Sequence, residues 1–163
     1  MKSQIELIYS ITYRIDTLAS LDRIQTLLHH HYSTKNLPKN FKNLDEVYKS
    51  QTTLYILIVS YLYTLFDESG TNINVLNEAS LSQSLRDKRN EILELWKPLE
   101  NPITRIRHNF GFHGGGLSQI RNVIKASKEI DRNDLLPIIV ELLDKLKHFS
   151  FSLKSEFNLT EMA

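Results

Sequence analysis

The chain has 163 residues, a length that suits one domain, and its 41% hydrophobic and 24% charged residues are typical of folded rather than disordered proteins. It contains no cysteine, which excludes disulfide scaffolds, thiolate zinc sites and cysteine nucleophiles. Its 20 Lys and Arg residues against 19 Asp and Glu give a net charge of +1, without the overall basic excess that nucleic-acid-binding proteins usually carry.

Apolar residues recur at helical spacing along most of the chain. In the first predicted helix they are Ile8, Ile11, Ile15, Leu18, Leu21, Ile24 and Leu28. Further helices are expected over about 44–66 and 81–96, after Asn101-Pro102, and over about 117–128. The second of these ends before Pro98 because proline cannot continue a helix.

The C-terminal segment has the clearest helical stripe. Its apolar positions are Leu135, Ile139, Leu142, Leu146, Phe149, Leu153 and Phe157. Asn133 or Asp134 is the expected N-cap, and Pro137 is tolerated in the first turn. Since no segment alternates with a period of two, the sequence predicts a single all-α domain over residues 1–163, a bundle of four or five helices.

The most apolar run, 52–66, contains 15 uncharged residues. A membrane-spanning helix needs about 20, so this run is expected to be the central helix of the bundle. The N-terminal residues also lack the pattern of a secretory signal. We therefore expect a cytoplasmic protein with no membrane partner.

Segment 101–128 differs from the rest of the chain in charge and in glycine content. It contains no Asp or Glu and carries a charge of +5, which leaves −4 elsewhere, and it holds four of the five glycines. A flexible helix connection and a solvated charged face are the simplest interpretations. The combination also suits a phosphate site, and its expected substrate-binding residues are Arg105, Asn109, Arg121 and Lys125.

Arg107 and His113 are suited to phosphodiester chemistry. A histidine can move the proton of a ribose 2′-hydroxyl, while a guanidinium stabilises the charge that develops on phosphate. On one regular helix these two residues would be separated by about 9 Å of rise and about 120° around the axis. The pair therefore requires either an unwound helix end at Gly111 or completion of the site across a dimer axis.

Two stretches carry a resemblance to a known family. In Arg107-His108-Asn109-Phe110-Gly111-Phe112-His113, five residues separate Arg from His, and a polar residue follows the Arg. The upstream segment 63–76 contains Leu65-Phe66-Asp67, a turn, and then Ile and Leu residues. On these stretches the chain resembles the HEPN superfamily and is similar to HEPN domains of abortive-infection and toxin–antitoxin systems.

The resemblance implies a HEPN-like bundle and a metal-independent endoribonuclease that acts as a homodimer. Arg107 and His113 would be its catalytic residues at a dimer cleft, and His108 the accessory polar residue. RNA would be the substrate, an antitoxin or other regulatory protein a possible partner, and no metal or other cofactor would be needed.

Two other functional classes stay open. One is a non-catalytic HEPN-like module that binds RNA or a nucleotide, and the other is a helical bundle whose Gly-rich loop docks a protein partner.

Several further residues are interpreted structurally. The three consecutive His at 29–31 are expected at a solvated helix end rather than in a metal site. Tyr63 is expected to pack on a buried helix, and Asp67 to be a capping or solvated turn residue.

Overall fold

The computed structural model of the chain describes residues 4–67, 72–76, 80–110 and 117–159. These residues form six α-helices and one short 3-10 helix, and they contain no β-strand. The helices are α1 (Gln4–Thr34), α2 (Leu44–Thr64), α3 (Gln83–Trp96), α4 (Glu100–Phe110), α5 (Leu117–Arg132) and α6 (Leu136–Glu156). The 3-10 turn is Ile73–Val75.

The all-α prediction is confirmed for this part of the chain, but the predicted count of four or five helices was too low. The break between α3 and α4 lies where the sequence predicted it, at Pro98, and spans only residues 97–99. Pro98 has no N–H to continue α3, whereas Pro102 lies in the first turn of α4, where backbone N–H groups have no partner within the helix. Two prolines this close together therefore end one helix and allow the next helix to begin almost at once.

One hydrophobic core joins the helices. The predicted stripe of α6 is buried from Leu135 to Leu153, and Phe157 packs against it partly buried. The predicted stripe of α1 is also buried at most positions, but Ile24 is 46% exposed. The predicted side-chain cap of α6 was wrong, because its N-cap is Leu135 and no side-chain cap hydrogen bond forms there.

Packing at the end of α2 brings α4 against it. The rings of Phe66 and Trp96 stack with their centroids 4.2 Å apart and an interplanar angle of 4°, which joins the end of α2 to the end of α3. Helix α4 begins four residues after Trp96 and packs along α2. The buried guanidinium of Arg89 fixes the neighbouring 3-10 turn by donating to the carbonyls of Ile73, at 3.0 Å, and Asn74, at 3.1 Å.

Within the ranges given above, none of the helices has the length and hydropathy needed to cross a membrane.

Candidate active site between α2 and α4

Helix α4 directs its polar side chains to two different sides. Residues four, seven and eight positions apart lie on the same side of a helix. By this spacing, one side of α4 carries Glu100, Thr104, Arg107 and His108. Arg105 is displaced from Arg107 by about 200° around the axis and lies on the other side.

That other side of α4 faces α5. Nη1 of Arg105 forms an ion pair with Oε2 of Glu129 at 2.6 Å, and Glu129 is the residue directly after the acid-free segment. Nδ2 of Asn122 donates to Oδ1 of Asn109 at 3.0 Å, and Nδ2 of Asn109 donates to the carbonyl of Arg105 at 2.7 Å. Arg105 and Asn109 therefore help to hold α4 against α5.

His108 contacts α2 through Tyr63. Nε2 of His108 lies 3.4 Å from the hydroxyl oxygen of Tyr63, and the two rings meet edge to face with centroids 5.8 Å apart. The same hydroxyl hydrogen-bonds the carboxylate of Asp67, which lies one turn further along, just beyond the end of α2. The three side chains form a continuous chain of contacts from α2 to α4.

The electrostatics of Tyr63 reflect this position. Burial of the half-buried phenol raises its pKa above the ordinary value of 10.0, and the negative charge of Asp67 and its hydrogen bond raise the pKa further. The positive charge of Arg107 acts in the opposite direction. Tyr63 is thus a neutral phenol near neutral pH and lies within the electrostatic influence of both Asp67 and Arg107.

The donor and acceptor roles follow from the chemistry of the groups. An ionised carboxylate can only accept, so the single hydroxyl proton of Tyr63 is donated to Asp67. The hydroxyl oxygen is then left to accept from an N–H at Nε2 of His108. We assign the Nε2–H tautomer to neutral His108 on this basis, which leaves Nδ1 as its acceptor.

A cleft opens beside this chain of contacts. Its volume is about 240 Å³, and it is lined by Tyr63, Phe66, Asp67, Trp96, Glu100 and Thr104. The lining combines aromatic surface with two carboxylates and one hydroxyl. The cleft therefore offers hydrogen-bond acceptors beside apolar walls, while Arg107 supplies positive charge further along α4.

The predicted site residues are distributed over three places. Arg107 and His108 lie on the α4 side that faces α2, whereas Arg105 and Asn109 lie on the side that faces α5. Arg121 and Lys125 are exposed on α5, four positions apart. His113 and the neighbouring glycines, residues 111–116, lie outside the described residues.

Tyr63 and Asp67 are the site residues that the sequence analysis interpreted as purely structural. Both belong to the 63–76 stretch that carries the family resemblance, which was the available signal. Tyr63 and His108 are 45 positions apart along the chain, so local periodicity does not indicate their contact.

The described residues contain no group of three or more His, Asp or Glu side chains arranged to hold a metal ion. In comparisons with known proteins, no family model, no curated protein and no solved structure matches this chain.

Proposed function

We propose that the protein is a metal-independent endoribonuclease of HEPN type. The observation that carries this proposal is the contact of His108 with Tyr63, which in turn hydrogen-bonds Asp67, on the α4 side where Arg107 also lies. A histidine with a defined tautomer beside an arginine is the pair of groups that RNA cleavage without metal requires.

In the proposed reaction, RNA supplies its own nucleophile. A histidine accepts the proton of the ribose 2′-hydroxyl, and the 2′-oxygen attacks the adjacent phosphorus. The bond from phosphorus to the 5′-oxygen breaks, and that oxygen takes a proton from a second acid. The products are a 2′,3′-cyclic phosphate and a 5′-hydroxyl, so no electrons are exchanged and no water is consumed in this step.

The residues of the motif divide this work between them. Arg107 contacts a non-bridging phosphate oxygen and stabilises the charge that develops in the transition state. His113 acts as the principal proton-transfer group, and the imidazolium form of His108, which carries a proton at Nδ1 as well as at Nε2, orients the phosphate or supplies the second proton. Arg121 and Lys125 contribute phosphate contacts along the RNA, whereas Arg105 and Asn109 are engaged with α5 and contact phosphate only once released from it.

We propose a homodimer as the active form, because six positions separate Arg107 from His113 and one regular helix would keep them apart. A second subunit would bring the two motifs to one cleft. From the family resemblance we propose a role in abortive-infection or toxin–antitoxin defence in the cytoplasm, with an antitoxin or other regulatory protein as the partner.

The test is RNA cleavage in the presence of a chelator, with Arg107→Ala, His108→Ala and His113→Ala beside wild type. Arg23→Ala and His30→Ala are matched controls, since both residues are exposed on α1. We expect the rate of RNA cleavage to fall by about 100-fold or more in Arg107→Ala and His113→Ala and to stay unchanged in the controls. A wild type that leaves RNA intact, or a fully active His113→Ala, would refute the nuclease.

A non-catalytic RNA- or nucleotide-binding module is the second candidate. The observation that favours it is a row of exposed basic residues on α5, namely Arg121, Lys125 and Lys128. Such a row can bind the phosphates of RNA and needs no catalytic residue to do so. This candidate predicts salt-sensitive RNA binding with the RNA recovered intact.

A further inference from the structure

We infer that the cleft between α2 and α4 is a nucleobase subsite that selects guanine through the carboxylate of Glu100. The inference rests on the proposed function, in which RNA is the substrate, and it specifies which base of the RNA is bound. Its starting point is the composition of the cleft, which has aromatic walls from Tyr63, Phe66 and Trp96 and acceptors from Asp67 and Glu100.

The charged residues around the cleft indicate that the phosphate and the base of a nucleotide would bind at different positions. Two carboxylates line the cleft, so it repels a phosphate group. Arg107 lies on the same side of α4 as Glu100, seven positions later, which corresponds to a rise of about 10 Å. A nucleotide can therefore place its phosphate at Arg107 and its base in the cleft.

Glu100 is the acceptor available to a base. Asp67 already accepts from Tyr63, whereas Glu100 is exposed, and no Lys or Arg among the described residues forms an ion pair with it. Thr104, one turn further along α4, adds a hydroxyl that can donate or accept. The free carboxylate thus determines which base edge is complementary.

Guanine matches a carboxylate better than the other RNA bases do. Its N1–H and its N2 amino group are adjacent donors and can bond both oxygens of one carboxylate. Adenine and cytosine each present one amino group beside an acceptor nitrogen, and uracil presents one N–H between two carbonyls that repel the carboxylate. The expected order is guanine first and uracil last.

The test measures binding of 5′-GMP and 5′-UMP by titration calorimetry to wild type, Glu100→Gln and Glu141→Gln. Neither nucleotide contains a bond that the proposed enzyme would cleave, so the readout does not depend on turnover. Because a bidentate contact discriminates strongly between bases, we expect GMP to bind wild type about tenfold more tightly than UMP. Glu141 is exposed on α6 and serves as the matched control.

In Glu100→Gln, which is isosteric and loses one acceptor, the preference is expected to fall to about twofold or less, while Glu141→Gln keeps it. Arg107→Ala weakens both nucleotides alike. Equal affinities in wild type, no binding of either nucleotide, or an unchanged preference in Glu100→Gln would overturn the subsite.

The two proposals fail separately. A protein that discriminates GMP through Glu100 but leaves RNA intact keeps the subsite and loses the nuclease. A protein that cleaves RNA without preference for guanine, and whose cleavage pattern is the same in Glu100→Gln, keeps the nuclease and loses the subsite.

Discussion

Nε2 of His108 lies 3.4 Å from the hydroxyl of Tyr63, a contact that joins α4 to the end of α2. The hydroxyl proton of Tyr63 is held by Asp67, so the tyrosine oxygen acts as an acceptor for His108. This contact determines which ring nitrogen of neutral His108 is left to interact with a substrate. Tyr63 is therefore a positioning residue in the proposed enzyme.

The first prediction concerns this positioning. Tyr63→Phe keeps the edge-to-face ring contact and removes the hydroxyl acceptor, so the share of the Nε2–H tautomer in neutral His108 falls to that of an unconstrained histidine. Nitrogen NMR of the histidine rings distinguishes the two tautomers directly. RNA cleavage is expected to fall by about tenfold, a part of what a proton-transfer group contributes.

Tyr61→Phe is the matched control, because Tyr61 lies on the same helix and is partly buried against the core. The control should change neither the tautomer nor the cleavage rate. An unchanged tautomer in Tyr63→Phe would show that the hydroxyl does not position His108.

The second prediction concerns the titration of Tyr63 itself. The measurement is the ultraviolet absorbance of phenolate, and the signal of Tyr63 is the difference between wild type and Tyr63→Phe. Its pKa is raised from 10.0 by burial and by Asp67. Asp67→Asn removes a negative charge and should lower this pKa, whereas Arg107→Ala removes a positive charge and should raise it.

The same shift predicts how stability depends on pH. Because the folded-state pKa of Tyr63 is raised, its stabilising contribution is fully present below the unfolded pKa of 10.0 and is lost as the pH rises through the folded value. Asp67→Asn should reduce this loss at alkaline pH. A pKa of Tyr63 that responds to neither charge variant would contradict the electrostatic coupling.

A third prediction tests the core with two phenylalanines of one helix. Phe149 is fully buried on α6 and Phe151 is 72% exposed on the same helix. Phe149→Ala leaves a cavity and should lower the free energy of unfolding by about 3–5 kcal/mol. Phe151→Ala should change it by about 0.5 kcal/mol or less, as measured by denaturant unfolding. Similar effects of the two variants would contradict the placement of α6.

The long helices were predictable because their apolar residues repeat over many turns. The stripe of α6 from Leu135 to Leu153 is buried as predicted. On α1 the outward face is apolar as well, with Tyr9, Tyr13 and Leu27 exposed, so periodicity alone did not show that Ile24 would be exposed.

Helix caps and contacts between residues far apart in the chain were harder to predict from the sequence than the long helices. Asp134 adopts a positive φ of 51° in the link before α6, so it joins two helices instead of capping the second. The contact of His108 with Tyr63 depends on how α4 packs along α2. The motif predicted Arg107 and His108 as site residues, and helical spacing separates Arg105 from Arg107, but spacing does not show which helix each side of α4 faces.

The last prediction concerns Arg105, whose guanidinium is paired with Glu129 across α4 and α5. Glu129→Gln removes the competing carboxylate and makes Arg105 available to a phosphate of bound RNA. We expect tighter binding of single-stranded RNA and a salt dependence steeper by about 0.7 in the logarithmic slope, the value of one additional phosphate contact. The lost pair is partly exposed to solvent, so the free energy of unfolding should fall by about 1 kcal/mol or less.

Glu141→Gln changes the net charge of the protein by the same amount without releasing Arg105, and it separates the specific effect from a general one. If both variants strengthen RNA binding equally, the gain is a long-range charge effect and Arg105 makes no phosphate contact. If only Glu129→Gln does so, and if adding Arg105→Ala abolishes the gain, Arg105 binds RNA from the α5-facing side of α4. That result would place the path of the RNA across both sides of α4, because Arg107 lies on the side that faces α2.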